Sequence, residues 1–248
     1  MNLALRFLGV GGAQSPELGS TCGVIERDGA PLLMIDCGAE ALSAYLAHYG
    51  EAPCAVYITH THMDHVAGLE RLFYKTWFDE RRRGAVRLFA HANLVPLLQS
   101  RVADFPEPLA EGGANFWDGF RLVPLSRGFW LDGLWFDVFA TRHHAPSTSF
   151  GVALAGALAW TGDTRPIPEV LASLASGDLV VVHDCGLRGN PSHTGLDDLA
   201  REYAPDLLRR FVLCHYASEA EAWAMEDAGM RVARRGDVIA LAAPGARA

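Results

Sequence analysis

Ala55-Val56-Tyr57-Ile58-Thr59-His60-Thr61-His62-Met63-Asp64-His65 is an apolar strand pattern that runs directly into four candidate metal donors within six positions. Packing gives no reason to crowd imidazoles and a carboxylate at a strand end. Chemistry does, because imidazole nitrogen and carboxylate oxygen are the donors that borderline divalent cations such as zinc accept. Alternate side chains of an extended segment point the same way, so His60 and His62 can share a first ion. Asp64 and His65 open the helical pattern that carries Leu69 and Leu72, and the bend there can turn both toward a second ion nearby. One short loop thus serves two ions.

Working outward, β-like runs are predicted at 3–8, 32–35, 55–59, 86–90, 135–141, 150–155, 157–160, 179–182, 211–214 and 238–242. Helical spacing places Leu42, Tyr45, Leu46 and Tyr49 on one face, and Leu69, Leu72, Phe73 and Trp77 on another. Further helices are predicted over 92–104, 167–175, 195–208 and 218–235. Ala155-Gly156-Ala157 reads as a tight hairpin turn between neighbouring strands. The segment 106–133, rich in Pro, Gly and Trp with weak periodicity, is expected to be an irregular insertion or rim loop. Strands and helices mixed from end to end predict an α/β fold of two packed sheets covered by helices, in a single domain over 1–248.

Composition narrows the function classes. The chain has 248 residues, half of them hydrophobic, and a formal net charge of −8. That balance argues against gathering nucleic acid phosphates by bulk electrostatics. Five cysteines without CxxC spacing fit reduced thiols rather than a disulfide framework. The start Leu3-Ala4-Leu5-Arg6-Phe7-Leu8 lacks the features of a secretory signal, and no apolar run reaches membrane-spanning length. A cytoplasmic protein with no membrane partner is therefore expected. Arg81-Arg82-Arg83 follows Asp79 and Glu80 near a helix end and reads as a solvated face. His48 and His91 stand alone and read as surface or core histidines.

At the metal loop the sequence resembles the metallo-β-lactamase superfamily, whose HxHxDH signature it matches letter for letter. Companions follow the family's order: Asp36 in Met34-Ile35-Asp36-Cys37-Gly38, the His143-His144 pair, Asp163 in Thr161-Gly162-Asp163-Thr164, and His215 after Phe211-Val212-Leu213-Cys214. The resemblance implies a four-layer αββα sandwich with two mixed β-sheets and two divalent metal ions, zinc first, with manganese or iron suited to the same donors. It assigns His60, His62 and one of His143 or His144 to the first ion, and Asp64, His65 and His215 to the second. Asp163 bridges them. Similarity to relatives whose ligand precedes a Ser-aromatic-Gly element, here Ser149-Phe150-Gly151, implies His143, which leaves His144 to the pocket. Asp36 is expected to support the metal loop by hydrogen bonds.

The opening Phe7-Leu8-Gly9-Val10-Gly11-Gly12-Ala13 and the element His183-Asp184-Cys185-Gly186 with His193-Thr194 look like the ribonuclease Z-like branch. Asp184 stands where ribonuclease Z usually has Glu, which is closer to the branch's small cyclic phosphodiesterases. The implied activity is hydrolysis of a small phosphodiester, cyclic ones included, by a hydroxide bridging the two ions. Asp64 belongs to that catalytic centre, and His193, or secondarily His144, steadies the phosphoryl oxygens or protonates the leaving group. His193 precedes a helix whose N-terminus is expected to favour an anion. Arg142, Arg165 and Arg188 lie beside motif residues and are candidates for meeting phosphate. Only 19 residues separate His143 from Asp163, which leaves no room for the arm with which ribonuclease Z grips transfer RNA, so a small-molecule substrate is expected instead. A thioester or lactone hydrolase and a non-enzymatic metal sensor are the competing readings. A homodimer is the assembly the resemblance allows.

Overall fold

Side chains alternate across the central strands and so divide between two hydrophobic cores. The computed structural model describes residues 1–104, 108–109 and 112–245. In chain order its strands are β1 (Leu3–Gly9), β2 (Cys22–Arg27), β3 (Ala30–Ile35), β4 (Ala55–Ile58), β5 (Val86–His91), β6 (Pro108–Leu109), β7 (Gly112–Gly113), β8 (Phe120–Leu125), β9 (Gly128–Leu131), β10 (Leu134–Ala140), β11 (Phe150–Leu154), β12 (Leu158–Trp160), β13 (Val180–Asp184), β14 (Phe211–Cys214) and β15 (Val238–Leu241). Among the described residues, sheet one has the order β15-β1-β2-β3-β4-β5-β8 and sheet two β14-β13-β12-β11-β10-β9. Both are mixed: β3, β4, β5 and β8 pair in parallel, as do β12, β13 and β14, while the other pairs are antiparallel.

On β4, Ala55 and Tyr57 face the core shared with sheet two, while Val56 and Ile58 face helices. Those helices are α1 (Ala39–Tyr49) and α3 (Gly68–Trp77), with the one-turn α2 (Met63–Val66) leading into α3; α1 and α3 bury Leu42, Tyr45, Leu69, Leu72 and Phe73. Burying a Leu, Ile or Phe side chain contributes roughly 1.5–3 kcal/mol. A strand packed on both faces is thereby anchored at every residue, and the loop leaving it starts from a fixed point. The outer face of sheet two is covered by α5 (Pro168–Leu174) and α6 (Leu196–Glu202), through Leu171 and Leu199. This is the two-sheet α/β sandwich that the sequence predicts.

Several boundaries differ from the sequence expectations. The segment expected to be irregular over 106–133 supplies β8 and β9, at the ends of the two sheet orders. Pro124 interrupts the pattern of β8 but is tolerated on an edge, where one side of the strand has no ladder to complete. The helix predicted at 92–104 is instead a 3-10 turn, then α4 (Val95–Leu98), then a π-helical turn over Gln99–Ala103. The helix predicted at 195–208 divides into α6 and α7 (Pro205–Leu208), because Pro205 starts a new first turn. The last predicted helix, α8 (Glu219–Asp227), stops early: Gly229 takes a left-handed φ of 86°, and Leu213 then pairs with the chain at Arg231 and Ala233. The hairpin at Ala155-Gly156-Ala157 is present, with Ala157 N–H donating to Leu154 O. All five thiols are free. Among the described residues, no helix is long and apolar enough to cross a membrane.

Candidate metal centre

Strand direction gathers the site. The alternating pairings make β1, β3, β4 and β5 run the same way in sheet one, and β10, β12, β13 and β14 in sheet two. Asp36 follows β3, the His60–His65 loop follows β4, His143 follows β10, Asp163 follows β12, Asp184 ends β13, and His215 follows β14. Ligand sites in α/β sheets collect at such carboxyl ends. The two sheets are tied at this edge by Phe150 N–H donating to Thr59 O at 2.9 Å and His215 N–H donating to Val10 O at 2.7 Å.

Three overlapping groups of donors result, one of them Asp163, Asp184, His193 and His215, and the other two the ligand sets expected from the sequence. Atoms of His60, His62, His143 and Asp163 lie within 4.8 Å of one another, and so do atoms of Asp64, His65, Asp163 and His215. Asp163 belongs to both. His60 Nε2 lies 3.6 Å from Asp163 Oδ2, His65 Nε2 3.4 Å from Asp163 Oδ1, and His215 Nε2 3.3 Å from Asp163 Oδ2. Two ligands about 2.1 Å from a tetrahedral cation sit about 3.4 Å apart, the spacing seen here. His60 Nε2, His65 Nε2 and both Asp163 oxygens are buried without a hydrogen-bond partner among the described residues. Orphaned polar atoms of this kind are costly unless something answers them, and a divalent cation in each group would. The residues therefore fit a pair of metal ions.

The opposite nitrogen of several rings is held. His65 Nδ1 donates to Asp36 Oδ2 at 2.8 Å, and His143 Nδ1 donates to the Ser192 carbonyl at 2.9 Å. Asp36 also accepts from Thr59 N and Thr59 Oγ1, both at 2.8 Å, which leaves the Thr59 oxygen to accept from His60 Nδ1 at 3.1 Å. Such partners fix the tautomer and aim the other nitrogen inward. Asp36 (φ 63°), His144 (φ 53°) and His215 (φ 64°) are non-glycine residues in the left-handed region, a strain that the surrounding packing sustains at this edge. At Gly12 an added Cβ would come within 3.1 Å of His215 Cε1, so the glycine run lets β1's loop pass the site closely.

Electrostatics separate the two groups. In the first, burial pushes His60 well below its usual value, and neighbouring imidazoles add to this. Burial likewise lowers His62 and takes His143 down to about 4. In the second, burial also opposes charge, yet Asp163 drives both His65 and His215 well above the ordinary range. Asp163 itself is held well below the usual carboxylate range: burial works against its charge, but His215, His65 and His60 outweigh it.

His193 stands beside these groups. Its Nδ1 is 2.8 Å from Asp184 Oδ2, and its ring stacks on His215 with centroids 5.1 Å apart. Burial lowers the His193 imidazole, but Asp184 raises it more, so the net shift is upward. Asp184 also lies 3.5 Å from His215 Nδ1 and thus joins the two rings. His144 is exposed and outside both donor groups, its ring edge-on to His62 at 4.7 Å.

The expected anion site at the start of α6 is filled from within. Asp198 Oδ2 accepts from Gly195 N–H at 2.9 Å and from Arg165 at 2.7 Å. Arg142 is also engaged, donating to Pro166 O and Glu169. Arg188 has no such partner among the described residues and lines a cavity of about 460 Å³ beside His193. The Ser192 carbonyl has no sequence signal, since every residue carries that group. His91 stacks on Phe150, and Arg83 lies over Trp77, which accounts for both without function.

Comparison with known proteins agrees with this architecture. An Anti-Pycsar protein Apyc1 of Saccharibacillus brassicae is 31% identical over 246 residues, covering 96% of this chain and 99% of that one. A diphosphatase from the PhnP family superposes with a TM-score of 0.77 at 18% identity, covering 97% of each chain. The short form of human tRNase Z gives a TM-score of 0.66 at 18% identity, over 97% of this chain and 100% of that one. Together with a metallo-β-lactamase fold protein of Bacillus subtilis, which superposes with a TM-score of 0.75 at 12% identity over 97% of this chain and 100% of that one, these solved structures show the metallo-β-lactamase fold. The family model described as Anti-Pycsar protein Apyc1 matches residues 3–239, so nearly the whole chain, donor groups included, belongs to that family.

Proposed function

We propose that this chain is a two-metal phosphodiesterase that hydrolyses a small cyclic phosphodiester such as a cyclic nucleotide. His60, His62, His143 and Asp163 would hold one divalent ion, and Asp64, His65, Asp163 and His215 the other. Zinc is the first choice on donor type, and manganese or iron suits the same set. When bound, the cations supply Lewis acidity and a water that ionises near neutral pH. Asp163, shared by both groups, sets their separation. Asp36 and the Ser192 carbonyl hold the Nδ1 atoms of His65 and His143, which turns the other ring nitrogens toward the two donor groups. His193, steadied and kept basic by Asp184, is positioned to give a proton to the leaving alkoxide or to steady a phosphoryl oxygen. His144, exposed at the mouth, is the second candidate for that donor.

The observation that carries this reading is Asp163 common to two four-donor groups, with the Asp184–His193 pair alongside. Small substrates are favoured because β11 and β12 and their turn take up most of the interval between His143 and Asp163, and because the cavities around the centre measure about 450, 590 and 460 Å³. Two matched structures are a diphosphatase and a tRNase, both of which break bonds to phosphorus.

The test is turnover by purified zinc-loaded protein, with and without chelator, of nucleoside 3′,5′-cyclic phosphates, bis(4-nitrophenyl) phosphate and a glutathione thioester. Chelator-sensitive opening of the cyclic phosphates is expected. Turnover of the thioester alone would move the assignment to carbonyl hydrolysis, and no chelator-sensitive turnover would leave a metal-binding sensor.

A further inference from the structure

Next to Asp184 lies a buried histidine that the chemistry of the metal centre leaves unused. His183 is 0% exposed and precedes Asp184 on β13, so the two side chains leave opposite faces of the strand. Its ring stacks on Phe211 with centroids 4.9 Å apart, and Tyr203 meets it edge-on. Both ring nitrogens are engaged. Nδ1 donates to the Asp184 carbonyl at 2.7 Å, and Nε2 accepts from the Tyr203 hydroxyl at 2.7 Å, which itself accepts from Ile167 N–H at 2.8 Å. The two ends set the direction of this chain, because a main-chain N–H can only donate and a carbonyl can only accept. Burial lowers the His183 imidazole, so the ring is neutral and carries its proton on Nδ1.

Packing does not call for these bonds, since replacing all partners of a buried hydrogen bond by apolar groups of like shape is close to neutral for stability. What they secure is the place where the sheet stops. β12 pairs with β13 only as far as Trp160 and Val182, and Val182 O accepts from Thr161 N–H at 3.1 Å. Carbonyls alternate along a strand, so Asp184 O points to that same side, past the end of β12, and His183 Nδ1 supplies the donor that the ladder no longer offers. The Asp184 carboxylate in turn takes Thr164 N–H at 2.9 Å and holds His193 Nδ1 at 2.8 Å. The direction of the His193 ring therefore depends on how the main chain of Asp184 is held. α6 serves both sides of this pair: Asp198 holds Arg165, which donates to the His193 carbonyl at 3.0 Å, and Tyr203 caps the end of the helix.

We propose that Tyr203 and His183 are positioning residues for the reaction, a fixed chain from the end of α6 to Asp184 that keeps His193 aimed at the leaving oxygen. This rests on the phosphodiesterase reading and deepens it: the proton donor is aimed by groups that touch neither substrate nor metal. Tyr203→Phe frees His183 Nε2 and lets the ring turn or change tautomer. His183→Leu removes the donor to Asp184 O, and His183→Asn restores one, since its NH2 stands near the place of Nδ1.

The experiment measures kcat and KM of the zinc-loaded wild type, Tyr203→Phe, His183→Leu and His183→Asn, with Leu171→Ala as a packing control. One substrate is a nucleoside 3′,5′-cyclic phosphate, and the other is bis(4-nitrophenyl) phosphate, whose leaving 4-nitrophenolate needs no proton. Misplacing a reacting group by ~1 Å can cost about 100-fold, so kcat for the cyclic phosphate should fall about tenfold in Tyr203→Phe and further in His183→Leu, with KM nearly unchanged. His183→Asn should recover most of that loss, and bis(4-nitrophenyl) phosphate should be slowed little in any variant. Equal slowing of both substrates, slowing of neither, His183→Asn no faster than His183→Leu, or the same selective loss in Leu171→Ala overturns the proposal. A second arm needs no substrate: solvent exchange of the His193 Nδ1 proton, followed by NMR of isotope-labelled protein and assigned by its loss in His193→Ala. Exchange should be faster in Tyr203→Phe and His183→Leu and return toward wild type in His183→Asn, and unchanged exchange overturns the proposal. If the wild type opens no cyclic phosphate, the phosphodiesterase reading fails, and this arm still judges whether Tyr203 and His183 hold the Asp184–His193 pair.

Discussion

The two donor groups share Asp163 yet differ in how they are prepared for a cation. His60, His62 and His143 are pushed toward neutrality by burial and by one another, with the carbonyl of Ser192 and the hydroxyl of Thr59 as ring partners. His65 and His215 are instead flanked by Asp36, Asp64, Asp163 and Asp184, which favour imidazolium. The first group presents free lone pairs, and the second must exchange protons for metal. The difference teaches that one contiguous loop can feed two sites of unlike electrostatics, because the neighbours that decide protonation come from other strands.

The sharpest way to break the comparison is Asp163→Ala, which removes a donor from both groups at once. Loss of an outer partner of a metal ligand typically costs 10–100-fold, so loss of this shared ligand should cost more than about 100-fold in turnover. Metal analysis should find fewer than two ions per chain, and two retained ions with normal turnover would refute the shared role of Asp163.

Acidity should separate the groups next. The raised His65 and His215 hold protons in the metal-free protein at neutral pH, so lowering pH strengthens their competition with the second ion. Its affinity should fall by about tenfold per pH unit for each proton displaced, while the first ion, bound by imidazoles with lowered values, should change little over the same range. Metal titrations at pH 8 and pH 6.5, with released protons counted, check this; equal pH dependence of the two ions would erase the distinction.

Asp36→Asn probes the second group from outside. It leaves the donor atoms in place but weakens the hold on His65, so second-ion affinity should drop ~10–100-fold, with the first ion less affected. The smallest effect expected is that of Gly12→Ala. Its Cβ, at 3.1 Å from His215 Cε1, obliges the ring or the loop to give way, at a cost of about 1 kcal/mol, read as a fewfold weaker second ion. A Gly12→Ala protein that weakens the first ion instead would mean that the loop, not His215, had moved.

Legibility follows the same division. The His60–His65 loop was open to reading because its donors are adjacent in the chain and follow an apolar strand, so local spacing alone brought them to one place. Asp163, His143 and His215 were legible only as ordered companions of a resembled pattern, each behind its own strand. The segment over 106–133 misled because edge strands β8 and β9 carry Pro124 and Gly128, and edge positions lack the two-faced burial that makes a strand pattern clear. Arg142 and Arg165 sit beside motif residues but point into Glu169 and Asp198, partners 27 and 33 residues away, which no local pattern announces.

The sequence by itself determined the donor types, the period-2 strands that bury both faces, and the loop in which two ions begin, since those depend on chemistry and spacing within a few residues. The tertiary structure alone decided that Asp163 lies between both groups, that the anion site at α6 is closed by Asp198, that Ser192 offers a carbonyl to His143, and that Tyr203 stands within hydrogen-bond reach of His183. The physical reason is that each of these is a distance between atoms on separate strands or loops, and such distances exist only once strand direction and sheet packing have fixed where every chain end lies.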